Sequence, residues 1–213
     1  MRVYTYYENI NFTHQSKVIE MWINSWAKHN FHPIVLNEND ARKSHLYESY
    51  SLKIRSFPSV NAPGFDYHCF MRYLAVLASC SSDDIIISTE PDVMNYNLYP
   101  EDVKQMKKIN MIQYSVVPAL HVGDKEGYVN FCNKLLDHNM SDHDNFMGRP
   151  HLSDQDFIAR YGIIERIYPN NYVAEVFEDG YLEKPVVHFG SPYMNKRGYI
   201  PKDLYIEQIR PFS

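Results

Sequence analysis

Cysteine is scarce: Cys69, Cys80 and Cys132 are the only three among 213 residues. An odd number without motif spacing supports neither a disulfide framework nor a zinc knuckle. Free thiols belong in a reducing compartment. Also missing are a Gly-rich dinucleotide fingerprint after the first predicted strand and a phosphate-cradling loop ending in Gly-Lys-Ser/Thr. No G-x-S-x-G nucleophile elbow and no H-E-x-x-H zinc helix occurs. A phosphorylated ligand must therefore be neutralised by something other than a glycine loop. Positive charge is in deficit: 21 Lys and Arg stand against 26 Asp and Glu, a net charge of −5. That balance argues against nucleic-acid binding through a general basic field and requires an anionic substrate to be held by a few placed cations or a metal. No apolar run is long enough to span a bilayer, and Met1-Arg2-Val3-Tyr4 opens no signal peptide. The expectation is a soluble, cytoplasmic protein with no membrane insertion and no nucleic-acid partner. In such a compartment the sequons Asn11-Phe12-Thr13 and Asn139-Met140-Ser141 carry little weight.

What is present suits one α/β domain over residues 1–213. Hydrophobic residues make up 45% of the chain and charged residues 22%, enough for an ordinary core and against disorder. The 18 Tyr and 11 Phe offer flat faces that stack on sugars or bases, or simply pack. Val3 to Tyr7 reads as a strand, and Thr13 can cap a helix to about Lys28 with Val18, Trp22, Ile23 and Trp26 as its apolar stripe. Pro33 to Leu36 is a second strand, ending at Asn37-Glu38-Asn39-Asp40. A looser stretch broken by Pro58 and Pro63 follows. Tyr67 to Ser79 is a helix with Phe70, Tyr73, Leu74 and Leu77 inward, and Ile85-Ile86-Ile87 is a strand apolar on both faces, as at a sheet's centre. This β-α-β-α-β order predicts a mostly parallel sheet flanked by helices, with ligands beyond the carboxyl ends of its strands. The second half is less regular. Asn110 to Val117, Tyr172 to Phe177 and Pro185 to Phe189 read as strands; Lys125 to His138 and Ser153 to Tyr161 read as helices.

Three features carry chemistry. Glu90-Pro91-Asp92 follows the buried strand, and two carboxylates two residues apart in a turn can face one point, which suits a hard divalent cation. The spacing recurs at Glu38/Asp40, Asp142/Asp144 and Asp154/Asp156, so position at the end of a central strand is what distinguishes Glu90 and Asp92; the alternative is a solvated acidic turn bent by Pro91. His188 ends the apolar strand Pro185-Val186-Val187, either as a satisfied core residue or as the imidazole completing a carboxylate site, with Lys196 and Arg197 supplying positive charge beyond Gly190. Asp142-His143-Asp144 is a rival cluster in a polar loop. Ser153-Asp154-Gln155-Asp156 opens a helix, where acids also serve as caps and suit the dipole.

Together, the early strand, the Arg72-bearing segment Phe70-Met71-Arg72-Tyr73-Leu74, the strand ending in Glu90-Pro91-Asp92, the Asp154-Gln155-Asp156 helix and the late His188 resemble GT-A-fold glycosyltransferases. They are most similar to the retaining, galactosyltransferase-like and glycogenin-like group. The resemblance implies that residues 1–100 bind the nucleotide-sugar and that 101–213 form an irregular acceptor side. It implies that Asp92, Glu90 and His188 hold Mn2+ (or Mg2+), that Thr5, Tyr6, Tyr7, Asn37, Arg72 and Lys196 bind the donor, and that Asp154 and Gln155 act at the transferred sugar. The implied partners are a UDP-sugar donor and a glycan or glycoprotein acceptor. The chain departs from the group's pattern at three points. Glu90 replaces the first Asp of the triplet, Cys69 stands where an acid often precedes the arginine, and no Lys-Pro-Trp follows His188. A non-catalytic carbohydrate-binding domain and a sugar nucleotidyltransferase are the alternatives. The latter usually carries a basic, glycine-rich loop where Tyr6-Tyr7-Glu8-Asn9 stands. A glycosidase also uses paired carboxylates, but without need of a metal-like turn.

Overall fold

A computed structural model describes the chain except residues 9–14, 82–84, 107–110, 115–118, 140, 147, 162–163, 168–170, 192–193, 195–197, 199–201 and 210–213. The first half runs β1 (Arg2–Tyr6), α1 (Gln15–Ala27), β2 (His32–Leu36), α2 (Glu38–Ala41), α3 (Tyr47–Arg55), α4 (Phe65–Ser79), β3 (Ile86–Thr89), β4 (Val93–Asn95) and α5 (Pro100–Gln105). Next come β5 (Met111–Tyr114), β6 (Leu120–Gly123), α6 (Lys125–Asp137), β7 (Asp144–Phe146), β8 (Arg149–His151) and α7 (Asp154–Tyr161). The chain continues with β9 (Glu165–Ile167), β10 (Val173–Glu175), a 3-10 turn at Tyr181–Glu183, β11 (Val186–His188) and α8 (Lys202–Ile209).

The main sheet has the strand order β2-β1-β3-β6-β5-β9. β1 lies parallel to both β2 and β3. β6 is antiparallel to β3 and β5, and β5 is parallel to β9. Five strands therefore share one direction and only β6 opposes them. Because side chains alternate along a strand, each inner strand feeds two cores. Val3 and Ile87 join one, and Tyr4 and Ile86 join the other. α1 covers the first face with Val18, Trp22 and Trp26, while α4, α6 and α7 cover the second with Phe70, Leu74, Phe131 and Phe157. The chain thus leaves β1 over one face to reach β2 and returns over the other to reach β3. This reversal makes the carboxyl ends of β1 and β3 a topological switch point, where ligands bind in open α/β sheets.

The expected elements of the first half appear close to where the pattern puts them. Phe70, Tyr73, Leu74 and Leu77 are all buried, as are Val18, Trp22 and Trp26. The stretch read as loose is different: it contains α3, and α2 forms on the polar segment that closes the second strand. α3 buries Tyr47, Tyr50, Ser51 and Ile54, a spacing that places them on one helical face. Beyond β3 the chain is also richer than expected, adding β4, α5, β6, a β7–β8 hairpin, β9 and α8. Thr13 lies outside the described residues.

Candidate functional site

After β3 the chain leaves the main sheet and enters a smaller one of order β10-β11-β4. The connecting turn is Glu90-Pro91-Asp92, and α1 pins it from both sides. The Trp22 indole N–H donates to Thr89 Oγ1 at 2.8 Å, and the Trp26 indole N–H donates to the Val93 carbonyl at 3.1 Å. Both indoles are buried, so each hydrogen bond satisfies a group that would otherwise be costly to bury. The small sheet then brings in the histidine. β11 runs antiparallel to β4 with His188 opposite Val93, and the Phe189 N–H donates to the Asp92 carbonyl at 2.9 Å. Across β11, the parallel partner of His188 is Glu175.

His188 Nε2 lies 3.1 Å from Glu90 Oε2 and 3.4 Å from Asp92 Oδ1. Its Nδ1 lies 2.7 Å from Glu175 Oε1. Each acid of the turn divides its oxygens. Glu90 Oε1 accepts from Arg72 Nη1 at 2.9 Å, and Asp92 Oδ2 accepts from Lys202 Nζ at 2.5 Å. The remaining oxygens and His188 Nε2 converge: one ligand atom from each of the three residues lies within 4.8 Å of the others. Among the described residues this is the only group of three metal-ligating side chains so arranged. Two carboxylates and an imidazole form a donor set that suits Mn2+, with carboxylate alone the better match for Mg2+. Asp142 is exposed and pairs with Arg160, while Asp144 begins β7.

Arg72, on α4, joins the two halves of the site. Besides Glu90 it pairs with Asp154, the first residue of α7, which also accepts from the Tyr73 hydroxyl at 3.3 Å. Of the Asp154 side chain 5% is exposed, and of Arg72 12%.

The electrostatics follow from burial among charges. Burial would raise the Asp92 carboxyl, but Lys202 and His188 outweigh it and hold it well below the usual carboxylate range. Glu90 is likewise lowered, with burial opposed by His188 and Arg72. Asp154 goes the other way: burial raises it despite the Arg72 guanidinium. Burial would lower His188, yet Asp92, Glu175 and Glu90 push it well above the usual histidine value.

No protein-family model matches this chain, and no curated protein matches its sequence.

Of the residues singled out from sequence, Glu90, Asp92, His188, Arg72 and Asp154 come together. Gln155 is exposed on the first turn of α7. Thr5 is buried at the carboxyl end of β1, with its hydroxyl donating to the Thr89 carbonyl at 3.0 Å. The Tyr6 hydroxyl reaches Glu8 at 3.3 Å and His68 Nδ1 at 3.4 Å, and Tyr7 is half-buried at the strand's end. The Asn37 side chain caps α2 by accepting from the Asn39 N–H at 2.8 Å. Lys196 lies outside the described residues. Two site residues were not foreseen. Lys202 supplies the cation at Asp92, held also by Ser191 Oγ at 2.9 Å. Glu175 stands alone as an acid in the apolar run Tyr172–Phe177, and that isolation is the signal that marks it. Among the described residues no helix is long and apolar enough to cross a membrane.

Proposed function

We propose that this chain is a metal-dependent, GT-A-type glycosyltransferase that moves a hexose or deoxyhexose from a UDP-sugar to a glycan or protein-linked glycan acceptor. Retention of configuration follows the resembled group, and three free thiols fit a cytoplasmic setting. The observation that carries the reading is the convergence of Glu90, Asp92 and His188 beyond the carboxyl end of β3, with Arg72 linking that turn to Asp154. Glu90 Oε2, Asp92 Oδ1 and His188 Nε2 would hold the cation. Mn2+ or Mg2+ there would supply Lewis-acid stabilisation to the diphosphate leaving group.

The remaining chemistry belongs to the chain itself. Breaking the bond between sugar and diphosphate leaves negative charge on the departing phosphate, and Lys202, which sits on Asp92 Oδ2, is a cation of this site that would meet it. The anomeric carbon gains positive character as the bond breaks, and the Asp154 carboxylate, held by Arg72 and Tyr73, would stabilise it. Gln155 orients a sugar hydroxyl from the exposed side of the same helix turn. Tyr7, half-buried just beyond β1, offers the face on which the base would rest, whereas Tyr6 is buried in the core.

Calorimetric titration of UDP with and without Mn2+ tests the reading. Binding should require Mn2+ and should be lost in Asp92→Asn, with Mn2+-dependent release of UDP from a UDP-sugar abolished in the same variant. Unchanged turnover by Asp92→Asn would overturn the site. A second reading, a carbohydrate-binding domain without turnover, draws on the fact that Arg72 and Lys202 already neutralise the acids of the turn. UDP binding without any release of UDP from UDP-sugars would establish it.

A further inference from the structure

We propose that Glu175 is a positioning residue for the cation, holding His188 with its proton on Nδ1 and its Nε2 lone pair facing Glu90 and Asp92; this rests on reading the acidic turn as a metal site. Glu175 is 1% exposed in the three-residue strand β10 between Tyr172 and Val176. An ionised side chain at such a position is expensive unless paired, and packing alone would be met by Val or Leu. Its partner is His188 Nδ1 at 2.7 Å. The strand register makes the pairing systematic. Glu175 and His188 are direct partners across β10 and β11, and His188 and Val93 are direct partners across β11 and β4. One row across the small sheet thus runs from Glu175 through His188 to the residue following Asp92. The backbone at Glu175 is fixed in turn, its N–H donating to Glu178 Oε2 at 3.1 Å.

The chemistry of the pair sets the tautomer. A carboxylate has no proton to give, so the ring nitrogen that meets it must be the one bearing hydrogen. Nε2 is then left as the ligand atom, and it is Nε2 that lies within 3.4 Å of both Glu90 and Asp92. A carboxylate behind a histidine ligand fixes the ring and raises its basicity, and losing such a partner weakens metal binding by about 10- to 100-fold. Gln at this position is nearly isosteric but ambiguous. Its oxygen can accept from Nδ1–H, while its amide can donate to Nδ1 and favour the tautomer with hydrogen on Nε2, which cannot bind a cation.

The test is Mn2+ titration of the full chain without nucleotide, following the paramagnetic resonance signal of free hydrated Mn2+. It compares wild type, Glu175→Gln, Glu175→Asp and His188→Ala, each referred to the folded fraction from thermal melts in chelator. Wild type should bind, Glu175→Gln should bind about 10- to 100-fold more weakly, and Glu175→Asp, still an acceptor only, should recover part of the loss. Nitrogen NMR of labelled histidine with Zn2+ as a diamagnetic probe gives a readout that packing would not move. His188 should show one protonated Nδ1 and one metal-bound Nε2 in wild type, and a mixture in Glu175→Gln. Equal Mn2+ affinity for wild type and Glu175→Gln, with identical His188 spectra, would overturn the positioning role and leave the metal site standing. Absence of Mn2+ binding by wild type would overturn the metal reading itself, and this inference with it.

Discussion

Removing the guanidinium of Arg72 would leave Glu90 and Asp154 facing a common space with no cation between them. Both depend on it directly, through Nη1 at 2.9 Å and through Nη2. Breaking a buried ion pair from one side typically costs about 3–5 kcal/mol, mostly because the orphaned charge stays buried. Arg72→Met should therefore destabilise by about that amount, and urea denaturation in chelator measures it. Asp154 is raised by burial even with Arg72 in place, and in Arg72→Met its carboxyl should rise further. Arg72→Met/Asp154→Asn should then be less destabilised than the sum of its single variants, the mark of coupled neighbours. Strict additivity would mean that Asp154 is not coupled energetically to Arg72. Arg72→Lys should fall between, since an ammonium is a point charge without the planar fork that serves two acids at once.

At the scale of elements, the turn after β2 offers a separable case. Asn37 and Asp40 form a reciprocal cap on α2: Asn39 N–H donates to Asn37 Oδ1 at 2.8 Å, and Asn37 N–H donates to Asp40 Oδ2 at 3.0 Å. Loss of such a cap costs about 1 kcal/mol. Asn37→Ala should show that loss as a lower urea midpoint with an unchanged slope, and a change in slope would point to a wider rearrangement. The same region shows what could be read from sequence. α1, α4 and α6 announce themselves because each repeats an apolar stripe over several turns. α3 carries the same signal in Tyr47, Tyr50, Ser51 and Ile54, but a serine in the stripe and an exposed Leu52 beside it hide the period. β4 and β9 have three residues each, too few for alternation to show, whereas the equally short β10 and β11 lie within the apolar runs read as strands. Within the site, Glu90 and Asp92 were legible because a buried strand ends there, and His188 because it interrupts an apolar run. Lys202 was not, since only the packing of α8 against α1 returns that end of the chain to Asp92. The partnership of Glu175 with His188 is a matter of strand register, which composition does not reveal.

For the whole molecule, the charge cluster between the two sheets makes stability depend on both pH and metal. Asp92 and Glu90 are lowered from their ordinary values of 3.8 and 4.5. Their contribution is complete above those values and is lost as pH falls through the folded ones. His188 is raised from its ordinary 6.5, so its contribution is complete below 6.5 and is lost as pH rises through the folded value. In chelator the cluster should stabilise most between about pH 4.5 and 6.5. A cation reverses the upper limit, because Nε2 must shed its proton before it can serve as a ligand and metal affinity therefore rises with pH. Mn2+ with UDP at about 100 times the dissociation constant adds about 2.7 kcal/mol, roughly 5–10 °C in Tm for a chain of this size. That rise should be larger near pH 8 than near pH 6, should vanish on adding chelator, and should be absent in Asp92→Asn. His188→Gln should retain a weaker rise that no longer grows with pH, since the titrating ligand is gone. A rise in wild type equal at both pH values would remove His188 from the ligand set while leaving the acidic turn in it.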